Sequence, residues 1–151
     1  MSIFNLTEIL ETTVEYKRLI AATASQSSKV SIQVIDEAVP FLITKLWSDL
    51  KAPVLLICPT PELSERLKER VTGWAEGQIT PLRFVETEAL PFERITTDTD
   101  TSRTRIEVLN QLSVMSNSPH ILITSVTALA QTTIDLKSFQ NTRQTLRVND
   151  I

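Results

Sequence analysis

The residue pair that most resembles a catalytic motif is Asp36-Glu37, which follows the apolar run Val34-Ile35. An apolar strand ending in acidic residues holds magnesium in many ATPases, but it does so beside a phosphate-binding loop. Such loops depend on glycine backbone at a helix N-terminus. The chain has 2 glycines, Gly73 and Gly77, and both lie near the end of a later helix pattern. We therefore expect a degenerate nucleotide site without ATP or magnesium, in which the two acids face the positive end of a helix dipole.

The other residue types that support catalysis are too few to form a known constellation. His120 is the only histidine and stands one residue before an apolar strand pattern, where a structural role is favoured over membership of a catalytic triad. Cys58 is the only cysteine and lies within the apolar run Val54–Cys58, which favours a buried, inert thiol. One histidine and one cysteine do not make a zinc site unless carboxylates supply most ligands. We predict no catalytic residue, no metal site and no cofactor in this chain.

The candidate contact segment is an apolar triplet inside a polar, acidic loop, Leu90-Pro91-Phe92-Glu93-Arg94. Phe92 either fills the core or is displayed as an anchor for another protein, and burial is favoured because large aromatic side chains are more often buried than displayed. Arg105 lies downstream beside Ile106, which we place on the inward face of a helix. We expect Arg105 to tie the loop to that helix, or to pair with Asp100 within the fold.

The elements that would position these residues follow from hydrophobic periodicity. An amphipathic helix is predicted from Ile3 to about Ala24, and alternation predicts a strand over Val30–Ile35. Pro40 suits the first turn of a helix that runs to about Leu50 and buries Phe41, Leu42, Ile43 and Leu46. Further strands are predicted at Val54–Cys58, Leu82–Val85, Ile121–Thr124 and Thr142–Val148, and further helices after Pro61, around Ile106, Leu109 and Leu112, and over Val126–Gln131.

Strands that alternate with helices predict an α/β fold of three layers, with a mostly parallel sheet covered on both faces. The chain of 151 residues has the length of one ordinary domain, with 42% hydrophobic and 22% charged residues. Its net charge of −3 argues against a surface built to bind nucleic acid. No apolar run approaches the roughly 20 residues that span a bilayer, so we expect a cytoplasmic protein without membrane contact.

The segment Leu90–Arg94, followed by Asp100, Arg105, Leu109 and Leu112, and then by Ile121–Val126 and Gln131, resembles the N-terminal module of bacterial transcription-repair coupling factor (Mfd). Leu55–Pro59 and the helix of Leu67 resemble the preceding strand and helix of that module, so the resemblance covers about residues 30 to 151. In that family the module is similar to domain 1 of the helicase-like damage-recognition protein UvrB, and it lacks a functional ATP site. The missing glycines agree with this resemblance.

The resemblance implies a role in transcription-coupled nucleotide excision repair. It implies that residues 1–139 form the UvrB-like domain and that 140–151 begin a small following domain that is truncated here. The module would act as a non-catalytic scaffold that supports recruitment of UvrA to RNA polymerase stalled at DNA lesions. RNA polymerase and DNA would be bound by other parts of the full protein, whose motor would be an ATP- and magnesium-dependent DNA translocase.

The sequence also departs from the family pattern. Thr87 stands where many members carry tryptophan, Ser125 where proline is frequent, and Thr132 where arginine often follows the glutamine. Tyr16 is the only tyrosine, so the tyrosine-rich hairpin with which UvrB probes damaged DNA is not expected.

Two other functions remain open on the sequence. The first is a helicase-like domain that binds nucleic acid phosphates through arginines, for which the candidates are Arg83, Arg94, Arg103, Arg105, Arg143 and Arg147. The second is a stand-alone α/β adaptor protein.

Overall fold

The computed structural model describes residues 2–23, 29–87, 99–115, 118–142 and 144. Its first elements are a 3₁₀ helix, Phe4–Thr12, and helix α1, Val14–Thr23. A short 3₁₀ turn, Asp36–Ala38, leads into α2, Val39–Leu50. The remaining elements are β1 (Val54–Cys58), α3 (Pro61–Ala75), β2 (Leu82–Phe84), α4 (Thr99–Met115), β3 (Ile121–Ser125), α5 (Val126–Ala130) and α6 (Leu136–Thr142).

The three strands form a parallel sheet in the order β1-β3-β2. Leu122 of β3 is registered with Leu55 of β1 and with Leu82 of β2. Parallel strands need helical crossovers, and α3 and α4 follow β1 and β2 in the chain. The predicted α/β class and the parallel arrangement are therefore confirmed for this small sheet.

One face of the sheet packs against α2 and α3. The core there contains Cys58, Leu67, Val71, Ile121 and Ile123, with Ile43 and Trp47 of α2 packed against it. Helix α3 begins as predicted, because the Thr60 side chain accepts the Leu63 backbone N–H at 3.3 Å. Within α2 the predicted apolar residues are only half-buried, whereas Thr44 and Lys45 are buried.

The opposite face of the sheet packs against α4, which gives helices on both faces. The buried residues of α4 are Arg105 and Val108, three positions apart on one helix face. The prediction that Ile106 points inward is wrong, because its side chain is 57% exposed. The hydrogen bonds of Arg105, described below, compensate the burial of its charge and so allow a cation to occupy the inward position.

The predicted opening helix over Ile3–Ala24 is not continuous. It breaks at Thr13, whose backbone is extended. The hydroxyls of Thr12 and Thr13 donate to the backbone carbonyls of Ile9 and Leu10 at 2.7 and 2.8 Å. Such local side-chain bonds compete with the helical ladder, which explains the break.

The predicted strand over Val30–Ile35 is wrong, because residues 29–35 have no regular secondary structure. A strand needs a neighbour that completes its backbone hydrogen bonds, but this segment lies beside helices instead. Ile32 and Val34 line a cavity of about 190 Å³ together with Tyr16 of α1 and Phe41 of α2.

The strand predicted at Thr142–Val148 is also corrected in part. Thr142, predicted to begin a strand, is the last residue of α6. Residues 143 and 145–151 lie outside the described residues, so the rest of that strand and the boundary at 139/140 stay predictions. No helix among the described residues is long and apolar enough to span a bilayer.

Candidate functional site

The candidate site lies at the carboxyl ends of β2 and β3, where parallel α/β sheets usually bind their ligands. Because the two strands are adjacent and parallel, the residues that follow them emerge side by side. Val85, Glu86 and Thr87 follow β2, while Ser125 ends β3. Thr124 fixes the two ends together, since its hydroxyl donates to the Phe84 carbonyl at 3.0 Å.

Arg105 reaches this place from α4. Its Nη1 donates to the Val85 carbonyl and, at 3.3 Å, to Gln131 Oε1. Its guanidinium carbon lies 4.1 Å from the centroid of the Phe84 ring, which is cation–π geometry. Burial lowers the pKa of Arg105, and the nearby Glu86 carboxylate opposes that shift. Arginine nevertheless keeps its charge in proteins, so a cation sits at the centre of the site.

Gln131 follows α5, and its side-chain amide binds both the backbone N–H and the backbone carbonyl of Thr87. Its Oε1 accepts the Thr87 backbone N–H at 2.8 Å and the Thr87 hydroxyl at 3.2 Å. Its Nε2 donates to the Thr87 carbonyl at 2.9 Å. The side-chain amide therefore completes backbone hydrogen bonds that a neighbouring strand would otherwise supply.

Ser125 and Glu86 complete the arrangement. The Ser125 hydroxyl donates to Glu86 Oε2 at 2.9 Å and accepts the Ala128 backbone N–H at 3.0 Å, which caps the N-terminus of α5. We call Arg105, Gln131, Thr87, Ser125 and Glu86 the strand-end network. It fills the carboxyl ends of β2 and β3 with the chain's own side chains.

Only one of the predicted site residues can be placed. Arg105 lies in α4 and binds the Val85 carbonyl at the end of β2. The rest of the predicted contact segment, Leu90, Pro91, Phe92, Glu93 and Arg94, lies outside the described residues.

Sequence reasoning missed the network partners of Arg105. Gln131 stands out in the sequence only as part of the family pattern, and Thr87 only as a departure from it, whereas Ser125 is both a departure and a residue type suited to cap the helix that follows. The family pattern was the available signal, because two of its three departures, Thr87 and Ser125, lie inside the network.

The acidic pair Asp36-Glu37 lies in a separate cavity of about 250 Å³ at the carboxyl end of β1. Its lining includes Cys58 and the two arginines Arg66 and Arg70 of α3. Both acids are exposed and occupy the 3₁₀ turn that enters α2, which is the predicted helix entry. Among the described residues, no group of three or more metal-ligating side chains comes together here or elsewhere.

The contacts of Cys58 and His120, the single cysteine and histidine of the sequence, fit structural roles and not catalytic ones. Cys58 is buried in the core, and burial raises the pKa of its thiol, which disfavours the nucleophilic thiolate. His120 Nδ1 lies 2.8 Å from the Ser118 carbonyl, and the His120 carbonyl accepts the Val54 N–H at the start of β1.

Comparison with known proteins returned no match. Neither a family model, nor a curated protein, nor a solved structure matches the chain.

Proposed function

We propose that this chain is a non-catalytic, UvrB-like module of a transcription-repair coupling factor, which supports recruitment of UvrA to stalled RNA polymerase. The motif resemblance from Leu82 to Gln131 motivates the parent protein and the partner. The parallel α/β sheet is consistent with that resemblance, since a helicase-like domain is built on such a sheet.

The strand-end network is the observation that carries the non-catalytic part of the proposal. In a nucleotide-binding sheet, backbone amides at the strand ends must be free to hold phosphate. Here the Thr87 amide is bound by Gln131, and the Ala128 amide is bound by Ser125. The one buried cation of this network, Arg105, donates to Val85 and Gln131. These groups stabilise a rigid scaffold rather than a ligand pocket.

An ATP titration tests the non-catalytic role. Calorimetry of the chain with magnesium and ATP is expected to show no saturable binding. Saturable binding at micromolar ATP would show that the chain binds nucleotide and would overturn this part of the proposal.

A binding assay with UvrA tests the assigned partner. A longer chain that includes the complete following domain is expected to bind UvrA, whereas the same domain presented without residues 1–139 should bind more weakly because its scaffold is missing. Absence of UvrA binding by the longer chain removes the assigned partner.

The nucleic-acid alternative depends on arginines that are free to meet phosphates. Arg83 Nε donates to Ser64 Oγ at 3.0 Å, Arg103 pairs with Glu107 at 3.0 Å, and Arg105 is buried. Arg94, Arg143 and Arg147 lie outside the described residues. A salt series separates the two functions, since each duplex phosphate contact contributes a log–log slope of about −0.9. Strong low-salt DNA binding with that dependence would favour the alternative.

A further inference from the structure

The cavity at the carboxyl end of β1, which we call the β1 cavity, is formed by three elements. The end of the strand contributes Leu56, which is half-buried, and Cys58, which is buried. The 3₁₀ turn before α2 contributes Asp36 and Glu37, and α3 contributes the remaining polar groups. Its volume of about 250 Å³ lies below the roughly 300–1,000 Å³ of sites for drug-sized ligands, so the β1 cavity suits a smaller molecule.

Helix α3 lines the β1 cavity with a single face. Leu63 and Leu67 belong to this face, as do Arg66 and Arg70. Their spacing of three and four residues places them on one side of the helix. The two leucines pack with the core of the sheet, whereas both arginines are exposed. The face therefore combines apolar surface with two guanidinium groups.

The charges of the β1 cavity balance, but they do not pair with one another. Two guanidinium groups come from α3, and two carboxylates come from the turn that enters α2. Within the described part of the chain, neither Arg66 nor Arg70 forms an ion pair with a carboxylate, and neither Asp36 nor Glu37 forms one with a cation. A ligand that carries both a positive and a negative group would complement both sets of charges at once.

We propose that the β1 cavity binds a free α-amino acid with a large apolar side chain, such as leucine or phenylalanine. The ligand's carboxylate accepts hydrogen bonds from Arg66 and Arg70, whose guanidinium groups match carboxylate geometry. Its ammonium donates to the carboxylates of Asp36 and Glu37. Its side chain packs against the apolar surface at Leu63. Both charged groups of an amino acid are attached to one carbon atom, so a small cavity can accommodate them together.

The mixed charge of the lining favours a zwitterion over other small ligands. An anion such as phosphate is attracted by the two arginines but repelled by the two carboxylates of the same cavity, and the reverse holds for a cation. A purely apolar molecule gives none of the four charged groups a partner. A zwitterion with an apolar group avoids both penalties.

Calorimetric titration of the 151-residue chain with L-leucine and L-phenylalanine tests the proposal. Saturable binding of at least one of them is expected, and glycine should bind about tenfold or more weakly because it has no apolar side chain. The amide of the bound amino acid lacks the carboxylate, and its N-acetyl derivative lacks the ammonium, so each should bind about tenfold more weakly. Absence of saturable binding of both amino acids at millimolar concentration overturns the proposal, and so do equal affinities for the amino acid and its two derivatives.

Variants of the charged lining test which side chains meet each group of the ligand. Arg66→Gln/Arg70→Gln should weaken binding of the amino acid by about tenfold but leave its amide unaffected, because the amide has no carboxylate. Asp36→Asn/Glu37→Gln should weaken the amino acid similarly but leave its N-acetyl derivative unaffected. Lys68→Gln is the matched control, since Lys68 lies on α3 but lines a different cavity, and it should change none of these affinities.

Circular dichroism verifies that each variant is folded. An arginine variant that weakens the amino acid and its amide equally overturns the proposed site, because the lost affinity would not involve the carboxylate. A Lys68→Gln variant that weakens binding as much as the arginine variant also overturns it, because the ligand would then lie outside the β1 cavity.

Discussion

Lys45 is the buried charge that joins the N-terminal helices to α2. Its side chain is 6% exposed, and its ammonium contacts the carboxylates of Glu11 and Asp49, the latter at 2.7 Å. Asp49 also accepts the Tyr16 hydroxyl at 2.7 Å. One carboxylate therefore compensates two buried polar groups from two different elements.

The two carboxylates should contribute unequally to stability. Asp49→Ala leaves the Lys45 ammonium and the Tyr16 hydroxyl short of a partner, and should cost about 2 kcal/mol, less than for a fully buried pair because Asp49 is 26% exposed. Glu11→Ala should cost at most about 0.5 kcal/mol, because Glu11 is 59% exposed and screened by water. Urea unfolding of both variants measures the difference. Equal losses would contradict this description of the cluster.

The same cluster predicts a loss of stability at alkaline pH. Burial raises the pKa of Tyr16, and Asp49 and Glu11 raise it further. Burial lowers the pKa of Lys45, but its bonds to Asp49 and Glu11 outweigh this and leave it raised. The folded chain therefore retains both protons where the unfolded chain has lost them, so stability is complete below about pH 10 and falls as pH rises above it.

Thermal unfolding as a function of pH tests this prediction. The unfolding temperature should decline above about pH 10, and it should decline less steeply in Tyr16→Phe, which has no phenol to ionise. Tyr16 is the only tyrosine, so its ionisation can be followed directly by ultraviolet absorbance. A tyrosinate signal that appears at the ordinary tyrosine pKa while the chain remains folded would contradict the buried environment.

At the scale of elements, we expect the stability of the chain to depend on Arg105 of α4 much more than on Arg103 of the same helix, because only Arg105 belongs to the strand-end network. Arg105→Met removes hydrogen bonds to Val85 and Gln131 and the contact with Phe84, and should cost about 2 kcal/mol. Arg103→Met is the matched control on the same helix. Arg103 is 76% exposed, so the loss should stay within about 0.5 kcal/mol. Denaturant unfolding that ranks the two variants equally would contradict a stabilising network.

Elements with strong local signals could be predicted from the sequence. Thr60-Pro61 marks the start of α3, Ser125 caps α5, and the apolar run Val54–Cys58 forms strand β1, although Leu55 and Ile57 of that strand are exposed. The alternating run Val30–Ile35 also carries a local signal for a strand, yet it is irregular, and no strand of the described residues pairs with it. Local alternation indicates which side chains could share a face, but whether a strand forms depends on a neighbour elsewhere in the chain.

The candidate site was harder to predict because its contacts are long-range. Arg105 is buried through bonds to residues 20 and 26 positions away, Val85 and Gln131. The periodicity of α4 alone favours Ile106 as the inward residue. In the structure α4 is rotated so that Arg105, and not Ile106, faces the sheet. This rotation depends on hydrogen-bond acceptors at the ends of β2 and α5, and no pattern within α4 encodes those acceptors.

At the scale of the whole molecule, β3 is the central strand of the sheet, and β1 and β2 are its edges among the described residues. Ile121 and Ile123 are fully buried, and β3 has a partner on each side. Its amides should therefore open only on global unfolding. The irregular residues 29–35 are mostly exposed and should exchange their amide hydrogens faster than the strands of the sheet.

Amide hydrogen exchange should also resolve β1 residue by residue. In dilute solution Leu56 and Cys58, which face β3, should exchange slowly, while Leu55 and Ile57, which face outward, should exchange rapidly. Slow exchange of the Leu55 and Ile57 amides in dilute solution would contradict the outward orientation that the bond from the Val54 N–H to the His120 carbonyl gives them.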